Sequence, residues 1–300
     1  MVVGHRRGPQ LLMIYLLLVP SLLIFLVYRL IPLGWNVVLS LHEYKMLGPN
    51  PWIGLENYVE MFKSDVFWQS LRNTVVYFFV GSPIAIFLAL VVATLVNAPI
   101  KGRNAYRVIV FLPYPITPAA IAIIWKWLYN DQVGLINYLL RSLGIVKDGI
   151  PFLSSSTWAL PAVITTSIWQ VLGYFVILVL TGLQTIPDAL YECAELDGAS
   201  PLRRFFHITV PLIRPTLFIC FVVAIINSFT VFDMVYVMTG GGPGYASEIL
   251  ITNIYKNAFT FVRMGYAAAM TFFMFVFLLL ITWGANLFAG GEAGGIHYYE

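Results

Sequence analysis

Glu192 and Glu195 stand three residues apart, with Asp197 just beyond them and Arg203, Arg204 and His207 following across a glycine. On a helix that spacing puts the two glutamates on one face beside Tyr191. Two carboxylates on one face can serve as an acid and a base, but only where a dry pocket tunes them apart, and no such pocket is legible around this segment. The alternative chemistry is recognition: acidic, basic and aromatic side chains in one loop form a knob for a partner, or balance one another on a solvated loop.

A second set is polar residues inside otherwise apolar runs: Tyr114, then Ser167, Trp169, Gln170 and Tyr174, then Asn227, Ser228 and Asp233. Ser167, Gln170 and Tyr174 recur at helical spacing and share a face. Such residues are costly in hydrocarbon unless they face a cavity or another helix, which makes them candidates for a solute path. Aromatic rings stack on the apolar faces of pyranoses, and amides and hydroxyls meet their hydroxyl groups, so this set suits a sugar. The other reading is structural, with tyrosine and tryptophan as interface anchors and serine or asparagine joining helices. Asp233, near the outer end of its run, reads as a structural or gating carboxylate rather than a proton relay.

Metal chemistry has no support: the histidines at 5, 42, 207 and 297 do not cluster, and Cys193 and Cys220 have no ligand spacing and no reason to pair. No Gly-x-x-x-x-Gly-Lys-Ser/Thr loop is present, so no nucleotide site of that type is expected.

The elements that carry these residues belong to a membrane. Of 300 residues 60% are hydrophobic and only 10% charged, with a mean hydropathy of +0.83, against roughly 45–50% and roughly 25% in soluble chains. Six apolar runs are each long enough to cross a bilayer: Leu11 to about Leu33, Leu71 to about Val96, about Val108 to Tyr129, Trp158 to about Leu183, Leu212 to Met238, and about Gly265 to Leu287. Backbone groups in lipid must pair within the segment and barrel-type alternation is missing, so an all-α membrane protein of six helices is expected. Prolines at 20, 32, 83, 113, 115, 118 and 161 predict kinks or broken helices. The first run is too long for a signal peptide and no cleavage site follows it, so it reads as a retained helix.

Arg6, Arg7, Lys101, Arg103, Arg107, Arg203, Arg204 and Arg214 gather at one set of loops, which places those loops and both termini in the cytoplasm. The division expected is a cytoplasmic N-terminus (1–10), a membrane domain (11–288) and a flexible glycine-rich tail (289–300). Outer loops then lie near 34–70, 130–157 and 239–264. The first carries an apolar stripe at Leu55, Tyr58, Val59 and Phe62, and the second one at Val133, Leu135, Ile136, Leu139, Leu140 and Leu143 ended by Gly144, both read as interfacial cover. The sequence pI of 8.8 fits contact with anionic lipid and offers no reason to expect nucleic acid.

In the inner loop, 185–211, Asp188 is expected to cap a helix over Ala189 to Asp197, Gly198 to supply a left-handed end, and Ser200-Pro201 to start a second helix ending at Pro211. Here the chain resembles a known family. Glu192-Cys193-Ala194, Asp197-Gly198-Ala199, Phe205-Phe206 and Ile208-Thr209-Val210-Pro211 look like the Glu-Ala-Ala loop of permease subunits of bacterial binding-protein-dependent ABC importers. Gly54-Leu55-Glu56-Asn57-Tyr58, Leu112-Pro113-Tyr114, Phe229-Thr230-Val231-Phe232-Asp233 and Thr239-Gly240-Gly241-Gly242-Pro243 are similar to the carbohydrate-uptake, maltose-F-like branch, a resemblance covering about residues 10 to 288.

The resemblance implies the six-helix type I importer permease fold in a bacterial inner membrane, with a coupling helix between helices four and five that fits a cleft in an ATPase subunit. Glu192, Cys193, Ala194, Asp197, Gly198, Ala199, Ile208 and Pro211 match that coupling motif, Cys193 standing where the family usually has alanine. Tyr114, Ser167, Tyr174 and Ser228 match substrate-contacting positions, whereas Val231 replaces a polar contact. It further implies a second permease subunit in a heterodimer, two ATPase subunits that hold ATP and magnesium while this chain binds no cofactor, an external solute-binding protein, and surrounding lipid. The competing readings are a stand-alone secondary transporter or channel, which would show inverted repeats, and a membrane enzyme, which would cluster its catalytic groups.

Overall fold

A computed structural model describes residues 7–45, 49–98 and 101–288. The expected flexible tail at 289–300 lies outside these residues, as does most of the expected N-terminal segment. Among them the fold is helical, with a single isolated antiparallel bridge between His42 and Trp52. The chain divides into two compact units, one of residues 1–63 with 254–274 and one of 64–253 with 275–300.

In the first unit, a helix continuous through a π turn at Leu26–Leu30 ends at Ser40, and none of its described side chains before Ser40 is buried. What is fixed is the segment after it. Asn57, on the Glu56–Lys63 helix, donates through Nδ2 to the carbonyls of Ser40 (2.8 Å) and His42 (3.0 Å), so a buried amide pins the end of one helix to another. Gly265 has to be glycine, since a Cβ there would sit 2.1 Å from the His42 carbonyl oxygen. Of the expected stripe, Leu55, Val59 and Phe62 are exposed and Tyr58 is half-buried with its hydroxyl 2.7 Å from Ser40 Oγ, while the buried face of this helix is Asn57 and Met61. That suits a stripe turned to lipid rather than to a protein core.

The second unit is built around the Ala159–Leu183 helix, apolar around most of its circumference and buried on several sides. Glycines admit its neighbours. A Cβ at Gly173 would lie 2.4 Å from the Val110 carbonyl oxygen, so one neighbouring helix approaches to backbone contact, and a Cβ at Gly182 would lie 2.6 Å from Thr216 Oγ1, so this glycine makes room for a threonine side chain of another helix. Ala85, Ala89 and Ala93 do the same on the Ser82–Asn97 helix, keeping its packed face smooth.

Four helices are long and apolar enough to cross a membrane unbroken: Tyr15–Ser40, Asp65–Asn97, Ala159–Leu183 and Met264–Leu287. The remaining two of the six expected spans are interrupted. The third is split into Arg103–Phe111 and Pro118–Leu128, because Pro113, Pro115 and Pro118 remove three donors within six residues. The fifth is split twice. Pro201–Leu212 and Arg214–Thr230 meet at Ile213 with a bend of 67°, and Val231 then turns extended before a short Asp233–Met238 helix.

Polar side chains hold the loop that follows. Asn73 Nδ2 donates to the carbonyls of Tyr245 (3.1 Å), Ala246 (3.1 Å) and Glu248 (2.8 Å), while Thr74 Oγ1 accepts from the Leu250 amide at 2.9 Å. The other expected stripe, on the Leu135–Ser142 helix, is again mostly exposed; its anchor is Asn137, which is bonded to Asn130 and to both backbone groups of Ile150.

Candidate solute cavity and coupling loop

The breaks in the third and fifth spans open a cavity of about 350 Å³ inside the second unit, walled by five helical segments and the turn that carries Tyr114. Tyr114 enters from the turn between Phe111 and Pro118, Ser167 and Gln170 from the Ala159–Leu183 helix, Asn227 and Ser228 from Arg214–Thr230, and Asp233 from just beyond the break. Six of the eight residues singled out in the sequence thus share one cavity. Tyr174 stands behind it and stacks on Tyr114 with ring centroids 4.8 Å apart and planes 16° from parallel. Trp169 does not line the cavity; its ring meets Trp125 at 5.4 Å.

These residues do different work. Ser228 Oγ donates to the Ala224 carbonyl (2.8 Å) and lies 3.1 Å from Ser82 Oγ, joining two helices. Gln170 Nε2 donates to the Ile116 carbonyl at 3.1 Å, which braces the proline-rich turn that carries Tyr114. Ser167 Oγ is buried with no well-formed hydrogen bond, and Asn227 is exposed to the cavity. Asp233 forms no ion pair among the described residues and is the one carboxylate in the lining, where no Lys, Arg or His appears. The wall offers hydroxyls, amides, a carboxylate and aromatic rings without a nucleophile held against a base, an arrangement suited to holding a polyhydroxylated solute.

Sequence reasoning missed the contribution of the second span. Tyr77 and Gly81 line the cavity from a π turn at Tyr77–Gly81, a geometry common at functional sites, and Ser82 lines it from the start of the α-helix that follows. Gly81-Ser82-Pro83 inside an apolar run was the available signal. Val231 also lines the wall.

The loop with the charges is a capped helical hairpin. Its first helix runs Asp188–Leu196 and begins one residue earlier than expected, with Pro187 rather than Asp188 in the cap position, because Asp188 already has helical geometry. At the other end Gly198 (φ +73°) is left-handed, Gly198 N–H reaches the Glu195 carbonyl (3.0 Å), and Ala199 N–H reaches the Ala194 carbonyl (2.9 Å). Ser200 Oγ accepts from the Arg203 amide at 3.3 Å with Pro201 opening the next helix. That helix runs on to Leu212, one residue beyond Pro211, with a π turn at Phe205–Thr209.

Glu195 pairs with Arg204 at 3.0 Å across the turn, and the Tyr191 hydroxyl lies 2.9 Å from Thr209 Oγ1. Tyr191 and Phe205 pack against the buried core cluster, so they anchor the hairpin rather than decorate its surface. Glu192, Cys193, Asp197, Gly198 and Pro211 are exposed, and Ala194, Ala199 and Ile208 are partly covered. The charges drew attention, but the apolar side chains beside them are as telling: Leu196 is 89% and Leu202 69% exposed, with Phe206 at 57%. Three large apolar groups thus stand exposed on a charged hairpin.

The comparison with known proteins decides the family. The model of the family described as binding-protein-dependent transport system inner membrane component matches residues 56–291. The chain belongs to this family. It is 40% identical over 271 residues to the probable ABC transporter permease protein YurN of Bacillus subtilis, covering 89% of this chain and 92% of that one. It is 34% identical to the sulfoquinovosyl glycerol transport system permease protein SmoG of Agrobacterium fabrum (92% and 89% covered). Identity is also 34% to the trehalose/maltose transport system permease protein MalF of Thermococcus litoralis (89% and 90% covered).

Among solved structures, a bacterial alginate ABC transporter in complex with alginate pentasaccharide-bound periplasmic protein contains a chain that superposes with a TM-score of 0.83 at 25% identity, over 94% of this chain and 95% of that one. A second structure, of a bacterial ABC transporter involved in the import of alginate, gives 0.79 at 28% identity over 92% and 94%. The permease is therefore an inner-membrane transport component with the importer fold.

Proposed function

We propose that this permease is one half of the pore of an ATP-driven sugar importer, and that its solute passes the cavity between Tyr114, Ser167, Gln170, Asn227, Ser228 and Asp233. The observation that carries the reading is the convergence of these polar residues, from separate apolar segments, on one cavity backed by a stacked tyrosine pair. Hydroxyl and amide groups spaced around aromatic rings are the chemistry that recognises sugars. Relatives named for trehalose/maltose and sulfoquinovosyl glycerol transport, and neighbours named for alginate import, support a saccharide.

The chain is a non-catalytic subunit in this reading and binds no cofactor itself; ATP and magnesium belong to two partner ATPases. A second, different permease subunit completes the pore, and an external binding protein delivers the solute. Six helices cross the membrane within 11–288, the third and fifth as broken spans, with both termini in the cytoplasm. Glu192 to Pro211 is the coupling hairpin. Its double glycine-and-serine cap, the Glu195–Arg204 pair and the Tyr191–Thr209 contact make it stiff enough to transmit a push. Because Thr209 and Ile213 are buried and Phe205 packs on the core, displacement of the hairpin is carried into the Arg214–Thr230 helix, and so to Asn227 and Ser228.

Reconstitution in liposomes with the neighbouring-gene ATPase, second permease and binding protein tests this. A saccharide with its binding protein should stimulate ATP hydrolysis and its own uptake. Solute uptake by this chain without ATPase partners would replace the reading with a stand-alone carrier.

A further inference from the structure

A second and larger hollow lies on the outside of the second unit, about 970 Å³ in volume, between the Asp65–Asn97, Arg214–Thr230 and Met264–Phe288 helices. Its walls are Phe78, Phe79, Leu217, Phe218, Phe221 and Leu280, and at one end stands Arg214. Arg214 is exposed, its side chain has no hydrogen bond or ion pair among the described residues, and no carboxylate lines the groove with it.

The groove has a direction. From Arg214 to Phe221 is seven residues of one helix, about 10 Å of rise, against about 15 Å for one leaflet of a roughly 30 Å hydrocarbon core. Its deep end is at Phe78 and Phe79, near the middle of the Asp65–Asn97 helix. Its Arg214 end coincides with the 67° bend at Ile213, where the chain leaves the direction of the span. The bend, with Pro211 and Pro215 on either side, is what uncovers the groove.

We propose that this groove is a binding site for an anionic phospholipid, its acyl chains along the phenylalanines and its phosphate on Arg214. An apolar trough about two-thirds of a leaflet deep, with a single uncompensated cation at its headgroup end, is complementary to that amphiphile in both its apolar and its charged part. Assigning the lipid to the cytoplasmic leaflet rests on the orientation given under the proposed function; the site itself does not.

The test uses the assembled transporter, captured from membranes through a tag on this chain and placed in nanodiscs of phosphatidylglycerol or phosphatidylcholine, with retained lipid counted by native mass spectrometry. The wild type should retain phosphatidylglycerol in preference. Arg214→Gln should lower that preference about fivefold, the effect of about 1 kcal/mol per basic residue at a membrane surface. Gly284→Leu, built where a Cβ meets nothing within 4 Å, should fill the groove and release both lipids while leaving the charge intact. Equal retention of the two lipids by the wild type, retention unchanged in both variants, or cross-linking of a cysteine at position 280 to another subunit's helix would overturn the proposal. Lipid retention together with labelling of Cys193 from the outer side would refute the orientation alone and leave the site standing.

Discussion

Gly173 offers the sharpest test of how the cavity is built. A Cβ added there would stand 2.4 Å from the Val110 carbonyl oxygen and 2.6 Å from Phe111 Cα, both backbone atoms that no side-chain rotation can move. Ordinary contact begins at 3.4 Å, so Gly173→Ala must part the Arg103–Phe111 and Ala159–Leu183 helices by about 3.4 − 2.4 = 1.0 Å. Such overpacking costs about 1–3 kcal/mol. The strain falls next to the site, because Tyr174 is the neighbouring residue and Tyr114 lies three beyond Phe111, and the stack between them, 4.8 Å between centroids, straddles the forced gap. If the strain is released by parting the rings, the solute-competent geometry loses about tenfold to a hundredfold in population. The assay is concentration-dependent uptake into proteoliposomes beside ATP hydrolysis stimulated by the loaded binding protein. Half-saturation for solute should rise, or uptake fall, by that factor in Gly173→Ala, with the protein still inserted. Gly284→Ala is the control, since its Cβ meets nothing within 4 Å. Wild-type uptake by Gly173→Ala would refute the claim that backbone-level contact there sets the cavity.

Three further outcomes are expected. Glu192→Lys or Gly198→Asp should abolish transport while membrane insertion, followed by fractionation, stays normal, the second because Gly198 at φ +73° imposes a strain of about 1–2 kcal/mol on any residue with a Cβ; normal uptake by both variants would sink the coupling role. Of the two thiols, exposed Cys193 should react with a membrane-impermeant maleimide only in inverted vesicles stripped of ATPase and be protected when the ATPase is bound, while buried Cys220 stays unlabelled; reaction in right-side-out cells would reverse the orientation. Asn73→Ala removes a donor from the carbonyls of Ala246 and Glu248, at about 1–3 kcal/mol for a group left buried and unpaired, while Tyr245 keeps its bond from Gln69 (3.1 Å), so amide exchange should accelerate from Tyr245 to Glu248 but not at Ala194 to Gly198; unchanged exchange would mean the loop is held by other contacts.

The geometry of the helical hairpin at 188–212 was legible almost residue by residue. Gly198, Ser200 and Pro201 act on their own backbone, and local chemistry of that kind is written in consecutive residues. Its apolar tip was not, because Leu196 and Leu202 read as ordinary loop residues until their exposure is seen. Both outer stripes were recognised as amphipathic, yet Asn57 and Asn137, the amides that fix those helices, lie outside the apolar pattern and are explained only by carbonyls brought from elsewhere.

Hydropathy alone set the membrane class and the six apolar runs, since the cost of burying backbone and charge in lipid is paid segment by segment. The polar residues were conspicuous for the same reason. Which of them meet was decided by tertiary structure. Proline breaks redirect the third and fifth runs, Gly173 lets a neighbouring helix approach to backbone distance, Gly182 makes room for the Thr216 side chain, and the π turn at Tyr77–Gly81 brings in a wall that no periodicity announced. Helix patterns state which face is polar; only packing states what that face looks at, because the contacts that close the cavity join residues far apart in the chain.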